Sequence, residues 1–333
     1  MTIKGLAAQT GYSVGTISRV LNNQPHVSEA ARDTILRAAE ASGFQLNTNA
    51  KQLKQQHGNT ILVICKGTVN ELFDKLLVSI QARISQTKYP LTVDYIDEDE
   101  NEVRRAVQLC LEKKPKGILF LGGNRRHFLE DFHHISVPCV LVTNDARDLP
   151  FRNLSSVSSD DILAAEMAID HLVSLGHRQI GIIGGHWQQS DTTVHRGLGC
   201  RQAFEKWKIP FTDDQYEAVR FSYEGGYRGA QALLQRNPGL TAIFAMSDVM
   251  AIGAIRALQD LGKRVPEDVS VVGFDGLVLG DYTYPRLTTV AQSTQALVDR
   301  SLALLSHYAD EDAEAIHETV PVSLLVKEST KQI

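Results

Sequence analysis

From residue 59 onward, short apolar runs alternate with amphipathic helical stretches, and this alternation limits the possible folds more than any other feature of the chain. Ile61–Cys65, Leu91–Tyr95, Gly117–Leu121, Cys139–Val142, Ile180–Ile183, Ala242–Ala245 and Val269–Gly273 are each followed by a turn or a helical pattern. Short runs with few polar residues fit strands buried on both faces, and strands separated by helices build parallel sheets with helices on each side. The predicted class is therefore α/β. Two sets are visible, one over about 60–157 and one over about 158–288, with Thr319–Val326 as a late strand.

The first 57 residues follow a different pattern. Ile3–Gln9 reads as a short helix with Ile3, Leu6 and Ala7 on one face and Gly11 to stop it. Ser13 can cap a second helix, in which Val14, Ile17, Val20 and Leu21 recur at three and four. A break over Asn22–Pro25 precedes a third helix capped by Ser28, with Ile35, Leu36, Ala38 and Ala39 as its core face and Gly43 as its end. Helix, glycine turn, helix, loop, helix is the layout of a helix-turn-helix unit. Six basic residues against three acidic ones give this segment +3, which leaves −8 of the overall −5 on the rest of the chain. A basic head on an acidic body suits a partner that is a polyanion.

The wording of the head resembles the lactose/purine repressor family. Thr2-Ile3-Lys4, Leu6-Ala7, Gly11-Tyr12-Ser13, Thr16 through Asn22, and Val27-Ser28 with Arg32 carry the likeness. The resemblance implies double-stranded operator DNA as a partner, with the second helix entering the major groove. Val14, Gly15 and Arg19 then fall where bases are read, Thr16 and Ser18 where phosphates are touched, and Ser13 and Asn22 belong to the same DNA-binding set. Arg19 can chelate guanine O6 and N7, Val14 offers only apolar contact to a thymine methyl, and Gly15 has nothing to read with. Residues 46–58 match the family's hinge helix, which orders in the minor groove. Leu53 matches the leucine wedge, with Asn47, Ala50 and Lys51 around it. Leu46 stands where proline is usual, and Lys51 where arginine is more frequent.

The likeness continues through Leu175–Ile180, Ser247-Asp248, Ala251–Ala254 and Val265–Asp275, and it implies a two-lobed core like that of periplasmic sugar-binding proteins. The domains expected are a helix-turn-helix head over 1–45, a linker over 46–58 and a sensing and dimerisation core over 59–333. Within that core the first lobe is assigned 59–157 and 289–317, the second 158–288 and 318–330, joined by three crossovers. Open α/β sheets bind ligands beyond the carboxyl ends of their strands, so the cleft between lobes is the expected effector site. Arg196 and Asp275 match the charged effector ligands, Phe73 and Phe221 the aromatic walls, and Thr143, Asn144 and Ser247 polar strand-end positions. Core packing is the alternative for the two phenylalanines, an interlobe salt bridge for Arg196 with Asp275. Lys66 could favour an acidic effector, although a solvated surface lysine is the simpler reading.

Other chemistry finds little support in the sequence. The four cysteines are scattered without a C-x-x-C pair and read as reduced thiols. The eleven histidines show no metal-ligand spacing, and the adjacent His133 and His134 point apart on a helix. Asp97–Glu100 lacks the glycine and alternate spacing of a calcium loop and reads as a solvated turn before a helix. Gly184-Gly185 reads as a strand-end turn, not a phosphate loop, and no nucleophile with a base can be assembled. No cofactor is expected. With no apolar run near the roughly 18 residues of a membrane helix and no leader-like opening, a cytoplasmic protein is expected, and the resemblance implies a homodimeric repressor controlled by a sugar or related metabolite. An activator or corepressor-dependent repressor uses the same parts. A transport binding protein leaves the basic head unexplained, and an α/β enzyme lacks its catalytic groups. The final residues, 327–333, contain no leucine heptad for a tetramer.

Overall fold

Apolar residues three and four apart gather residues 3–21 and 27–42 around a small core. Helix α1 (Ile3–Thr10) ends at Gly11, whose φ of 75° reverses the chain, and α2 (Val14–Leu21) follows at once. Helix α3 (Glu29–Ala41) starts on Ser28, whose side chain accepts from the Ala31 N–H. Leu6, Ile17, Val20, Ile35 and Ala39 form the core. On α3 the buried positions are Ala31, Ile35 and Ala39, four apart. Leu36, expected inside, lies one residue round the helix from that stripe and is 45% exposed. The computed structural model describes residues 3–21, 27–42, 59–67, 70–187, 190–307 and 314–333. Asn22, Gly43, Asn47, Ala50, Lys51 and Leu53 lie outside the described residues. The chain divides into two units, Met1–His57 and Gly58–Ile333.

In the second unit, successive side chains of β1 (Ile61–Lys66) enter different cores. Ile61, Val63 and Cys65 pack beneath α4 (Glu71–Ile84), while Leu62 and Ile64 face the core that includes α5 (Glu102–Lys113) and α6 (Arg125–Asp131). Burial on both faces is why the strand shows no polar alternation. Strands β2 (Leu91–Ile96) and β3 (Gly117–Leu121) flank β1, with Val63 paired to both Val93 and Leu119. Then come β4 (Cys139–Val142) and β5 (Leu154–Ser159).

The second sheet repeats the plan. Its strands are β6 (Ile180–Gly184), β7 (Tyr216–Ala218), β8 (Ala242–Ala245), β9 (Ser270–Asp275) and β10 (Thr288–Gln292). Helices α7 (Asp161–Ser174) and α8 (Asp191–Lys206) cover one face, and α9 (Tyr223–Arg236) and α10 (Asp248–Asp260) the other. Two late strands, β11 (His317–Val320) and β12 (Val322–Leu325), join different sheets. The orders β11-β5-β4-β3-β1-β2 and β12-β10-β9-β8-β6-β7 correspond strand for strand. All pairings are parallel except β12 on β10.

The chain passes between lobes after β5, after β10 and at Pro321 between β11 and β12. The single strand expected over Thr319–Val326 is thus two strands in two sheets, split by a proline that cannot donate to a ladder. Strand β10, placed with the first lobe by the sequence reading, pairs with β9 in the second, while α11 (Thr294–His307) returns to the first.

Candidate functional site

The carboxyl ends of both sheets face a cavity of about 270 Å³ between the lobes of the second unit. Lys66, Asp97, Gly122 and Thr143 close β1 to β4 on one side, and Gly185, Val219, Ser247, Asp275 and Gln292 lie at or just beyond the ends of β6 to β10 on the other. All seven residues proposed from sequence, Phe73, Thr143, Asn144, Arg196, Phe221, Ser247 and Asp275, line it. Parallel strands of equal polarity put their terminal residues at one edge, which is the reason residues so distant in sequence converge.

Both phenylalanines reach the cavity past glycines. Gly122 has φ of 74°, and a Cβ there would lie 3.0 Å from the Phe73 ring; one on Gly185 would come within 2.6 Å of Phe221. Phe73 is also part of the core under α4, so packing and wall are both its roles. Thr143 and Asp275 stand at equivalent places, after β4 and at the end of β9, and have positive φ values of 77° and 119°. A non-glycine residue held there costs about 1–3 kcal/mol, the kind of strain that fixed sites retain. Asn144 donates to Thr192 Oγ1 of the other lobe at 3.3 Å, and Ser247 caps α10 by accepting from Met250 N.

Arg196 does not pair with Asp275. It is 4% exposed, its Nε lies 2.9 Å from Asp161 Oδ1 in the same lobe, it donates to the Met246 carbonyl, and its guanidinium lies 3.5 Å over the Phe274 ring. Asp275 instead accepts from Gln292 Nε2 at 2.8 Å, and Gln292 accepts from Ser159 Oγ at 2.8 Å. Burial pushes the Asp275 carboxyl up to about 6, with the Arg196 charge and the Gln292 hydrogen bond pulling the other way. Behind it, burial and the charge of Asp275 raise Asp248 to about 8, against hydrogen bonds from Thr289 and Leu277 N.

A raised folded value means that Asp275 favours the fold while neutral and opposes it once ionised. From the ordinary 3.8 to about 6, that cost is absent below pH 3.8, grows across the interval and is complete above pH 6. Asp275→Asn should therefore be more stable than the wild type at pH 8 by up to about 3 kcal/mol, the difference fading towards pH 4. Thermal melts of both proteins across this range check it; a constant difference would show that Asp275 is not ionised against its surroundings.

Three sequence readings change. Lys66 is neither solvated nor available to an acidic effector: it is bound to the buried Glu102 at 2.7 Å and to the Glu100 carbonyl. Burial works against the Glu102 charge, but His127, Lys66 and the Asn124 N–H outweigh it and hold the carboxyl below its ordinary range. The Asp97–Glu100 turn is not simply solvated, since Arg220 of the other lobe binds Asp97, Glu98 and Asp99 at 2.5–2.6 Å. His133 and His134 bring their rings to 3.9 Å in a 3-10 turn instead of pointing apart. Among the described residues no group of three or more His, Cys, Asp or Glu is placed to hold a metal. All four cysteines are free, and three are buried.

On the N-terminal unit, Ser13 accepts from the Thr16 N–H at 3.2 Å, starting α2. Val14, Gly15, Ser18 and Arg19 share the face of α2 opposite the buried Ile17 and Val20. Val14 is 41% exposed, and a Cβ on Gly15 would meet nothing nearer than 3.8 Å, so packing does not require glycine there. No described helix is long and apolar enough to cross a membrane.

Residues 2–47 match the bacterial regulatory proteins, lacI family, and residues 169–330 match the periplasmic binding protein-like domain. The chain is 31% identical to the HTH-type transcriptional regulator MalR of Clostridium butyricum, over 99% of each. Among solved structures it is similar to a transcriptional regulator CelR–cellobiose complex, with 26% identity, TM-score 0.72 and 99% of each chain covered. The lac repressor dimer bound to operator and an anti-inducer has the same fold, with TM-score 0.79, 24% identity and 99% of each chain covered.

Proposed function

We infer that this chain, which belongs to the LacI family of bacterial regulatory proteins, is a DNA-binding transcription regulator and not an enzyme, and that it represses from a palindromic operator as a homodimer under control of a small molecule in its interlobe cavity. The observation that carries the reading is the convergence of strand ends from two like-folded lobes on one cavity, in a chain that also presents the open face of α2. On this reading Arg19 reads a guanine, Val14 meets a thymine methyl, Thr16 and Ser18 hold phosphates, and Asn22, Asn47, Ala50, Lys51 and Leu53 complete the DNA contact. Phe73 and Phe221 flank the effector, with Asp275 accepting from its hydroxyls and Asn144 and Ser247 offering polar contacts. The Arg196 guanidinium, already held by Asp161, presents what donor capacity remains.

A sugar or similar hydroxyl-rich metabolite suits these groups, and the similar CelR structure holds cellobiose. Exposed apolar side chains support self-association: Val78 on α4 with Val93 and Tyr95 on β2, and Val278, Tyr282 and Tyr284 on the second lobe. Regulation of DNA places the protein in the cytoplasm.

Selection from a pool of randomised duplexes, followed by a thermal-shift screen of sugars, sugar phosphates, nucleosides and nucleobases, tests the reading. One palindrome should be enriched, with log K falling linearly in log salt. A compound at 100 times its Kd should add about 2.7 kcal/mol to stability and change the operator Kd. Equal binding to every duplex, or an operator Kd indifferent to every compound that stabilises the protein, would defeat it.

A further inference from the structure

We propose that Arg220 and the carboxylates of Asp97, Glu98 and Asp99 form an ionic clasp that ties the two lobes together across the cavity. The contact joins the two edge strands, since Asp97 follows β2 at the end of one sheet and Arg220 lies two residues beyond β7 at the end of the other. The crossovers leave from the opposite edges, at β5 with β11 and at β10 with β12. Four strand spacings, roughly 19 Å, separate β2 from β5, so a tie at β2 acts on the long arm of the hinge.

The acidic turn has hydrogen bonds of its own that do not involve Arg220. Asp99 N donates to Asp97 Oδ1 at 3.1 Å, Asp97 N donates to Glu100 Oε2 at 3.2 Å, and Lys66 fixes the Glu100 carbonyl. Three carboxylates are thereby gathered on one rim, where they repel each other until the guanidinium of the other lobe arrives. Arg220 binds Asp97 at 2.6 Å, Glu98 at 2.5 Å and Asp99 at 2.6 Å, and beside it Tyr223 of the second lobe donates to Glu71 of the first. All four charged residues line the cavity. Arg220 is 52% exposed in its side chain, which makes each pair weak and sensitive to salt. Three together shift the open-to-closed ratio about tenfold. The inference does not depend on what the cavity binds.

The test is a pulsed electron spin resonance distance measurement on the full chain without any added compound. Labels go on Gln81→Cys in α4 and Gln235→Cys in α9, with the half-buried Cys110 replaced by serine and unlabelled protein in excess so that only intrachain distances register. At low salt the parent should give one short, narrow distribution. Arg220→Gln should lengthen and broaden it at unchanged thermal stability, as should the combined Asp97→Asn, Glu98→Gln and Asp99→Asn, and 1 M NaCl should move the parent about the same way. Arg264→Gln, which breaks an exposed pair with Asp268 within one lobe, should leave it unchanged. A distribution in Arg220→Gln that matches the parent at low salt overturns the proposal, as does one that shifts equally in Arg264→Gln. Neither result bears on DNA binding, whose failure the operator selection reports separately.

Discussion

Arg196→Ala should lower the stability of the second unit by about 3–5 kcal/mol, the cost expected when one partner of a buried ion pair is removed and the other remains. The site is specific about why. Asp161 is 7% exposed, burial already raises its carboxyl above the ordinary range, and the charge and hydrogen bond of Arg196, with His195 behind them, oppose this. The same guanidinium donates to the Met246 carbonyl and stacks on Phe274, so truncation also leaves a strand-end carbonyl short of a donor and a ring face uncovered. Arg196→Lys cannot restore this, because an ammonium lacks the planar fork that stacks and donates in two directions. Urea unfolding measures the loss. The double variant Arg196→Ala/Asp161→Ala should recover part of it, since the stranded charge is gone, while the effector response stays absent. A loss under about 1 kcal/mol for Arg196→Ala would mean that water or another group compensates Asp161. The sequence puts Arg196 among the charged effector ligands, with an interlobe salt bridge to Asp275 as the alternative. The geometry makes it first a brace of its own lobe, so lost response and lost stability must be separated by the double variant.

What the sequence makes legible follows from what burial does to patterns. Strands β1, β3, β4, β6, β8 and β9 stand out because both faces are covered and nearly every residue is apolar. Strand β5, Leu-Ser-Ser-Val-Ser-Ser, is equally buried but hides because hydroxyls fill it, and those hydroxyls have specific partners: Ser155 takes the Ile316 N–H and Ser156 the Ala146 N–H. Strand β10 is similarly disguised by Thr288, Thr289 and Gln292. Missing β10 is what loses Gln292, the residue that holds Asp275. The cavity residues named from sequence all sit where expected because the likeness fixes them one at a time. Arg220 and Asp97–Asp99 escape because a charge run and a lone arginine 121 to 123 residues apart have no local pattern in common; only the correspondence of two edge strands brings them together.

Leu6→Ala should unfold the N-terminal unit and leave the second unit intact. Among the described residues the core cluster of the head is Leu6, Ile17, Val20, Ile35 and Ala39, and Leu6 is fully buried in it. Removing a buried leucine side chain costs about 2–5 kcal/mol, which is comparable with all the stability that a unit of this size can hold. Operator binding needs the folded head, and apparent affinity scales with the folded fraction, so the operator Kd should rise roughly tenfold to a hundredfold. Compound-induced thermal shifts should persist, because the second unit is built around cores of its own. Leu36→Ala is the matched comparison: the same deletion on the same unit, but at a side chain 45% exposed, where the effect should stay within about 0.5 kcal/mol. From the sequence the two leucines are equivalent core residues. Equal losses of operator affinity in the two variants would put Leu36 back in the core and contradict the stripe of Ala31, Ile35 and Ala39 on α3, whereas a large loss confined to Leu6→Ala follows from that stripe and from the way α1 closes over it.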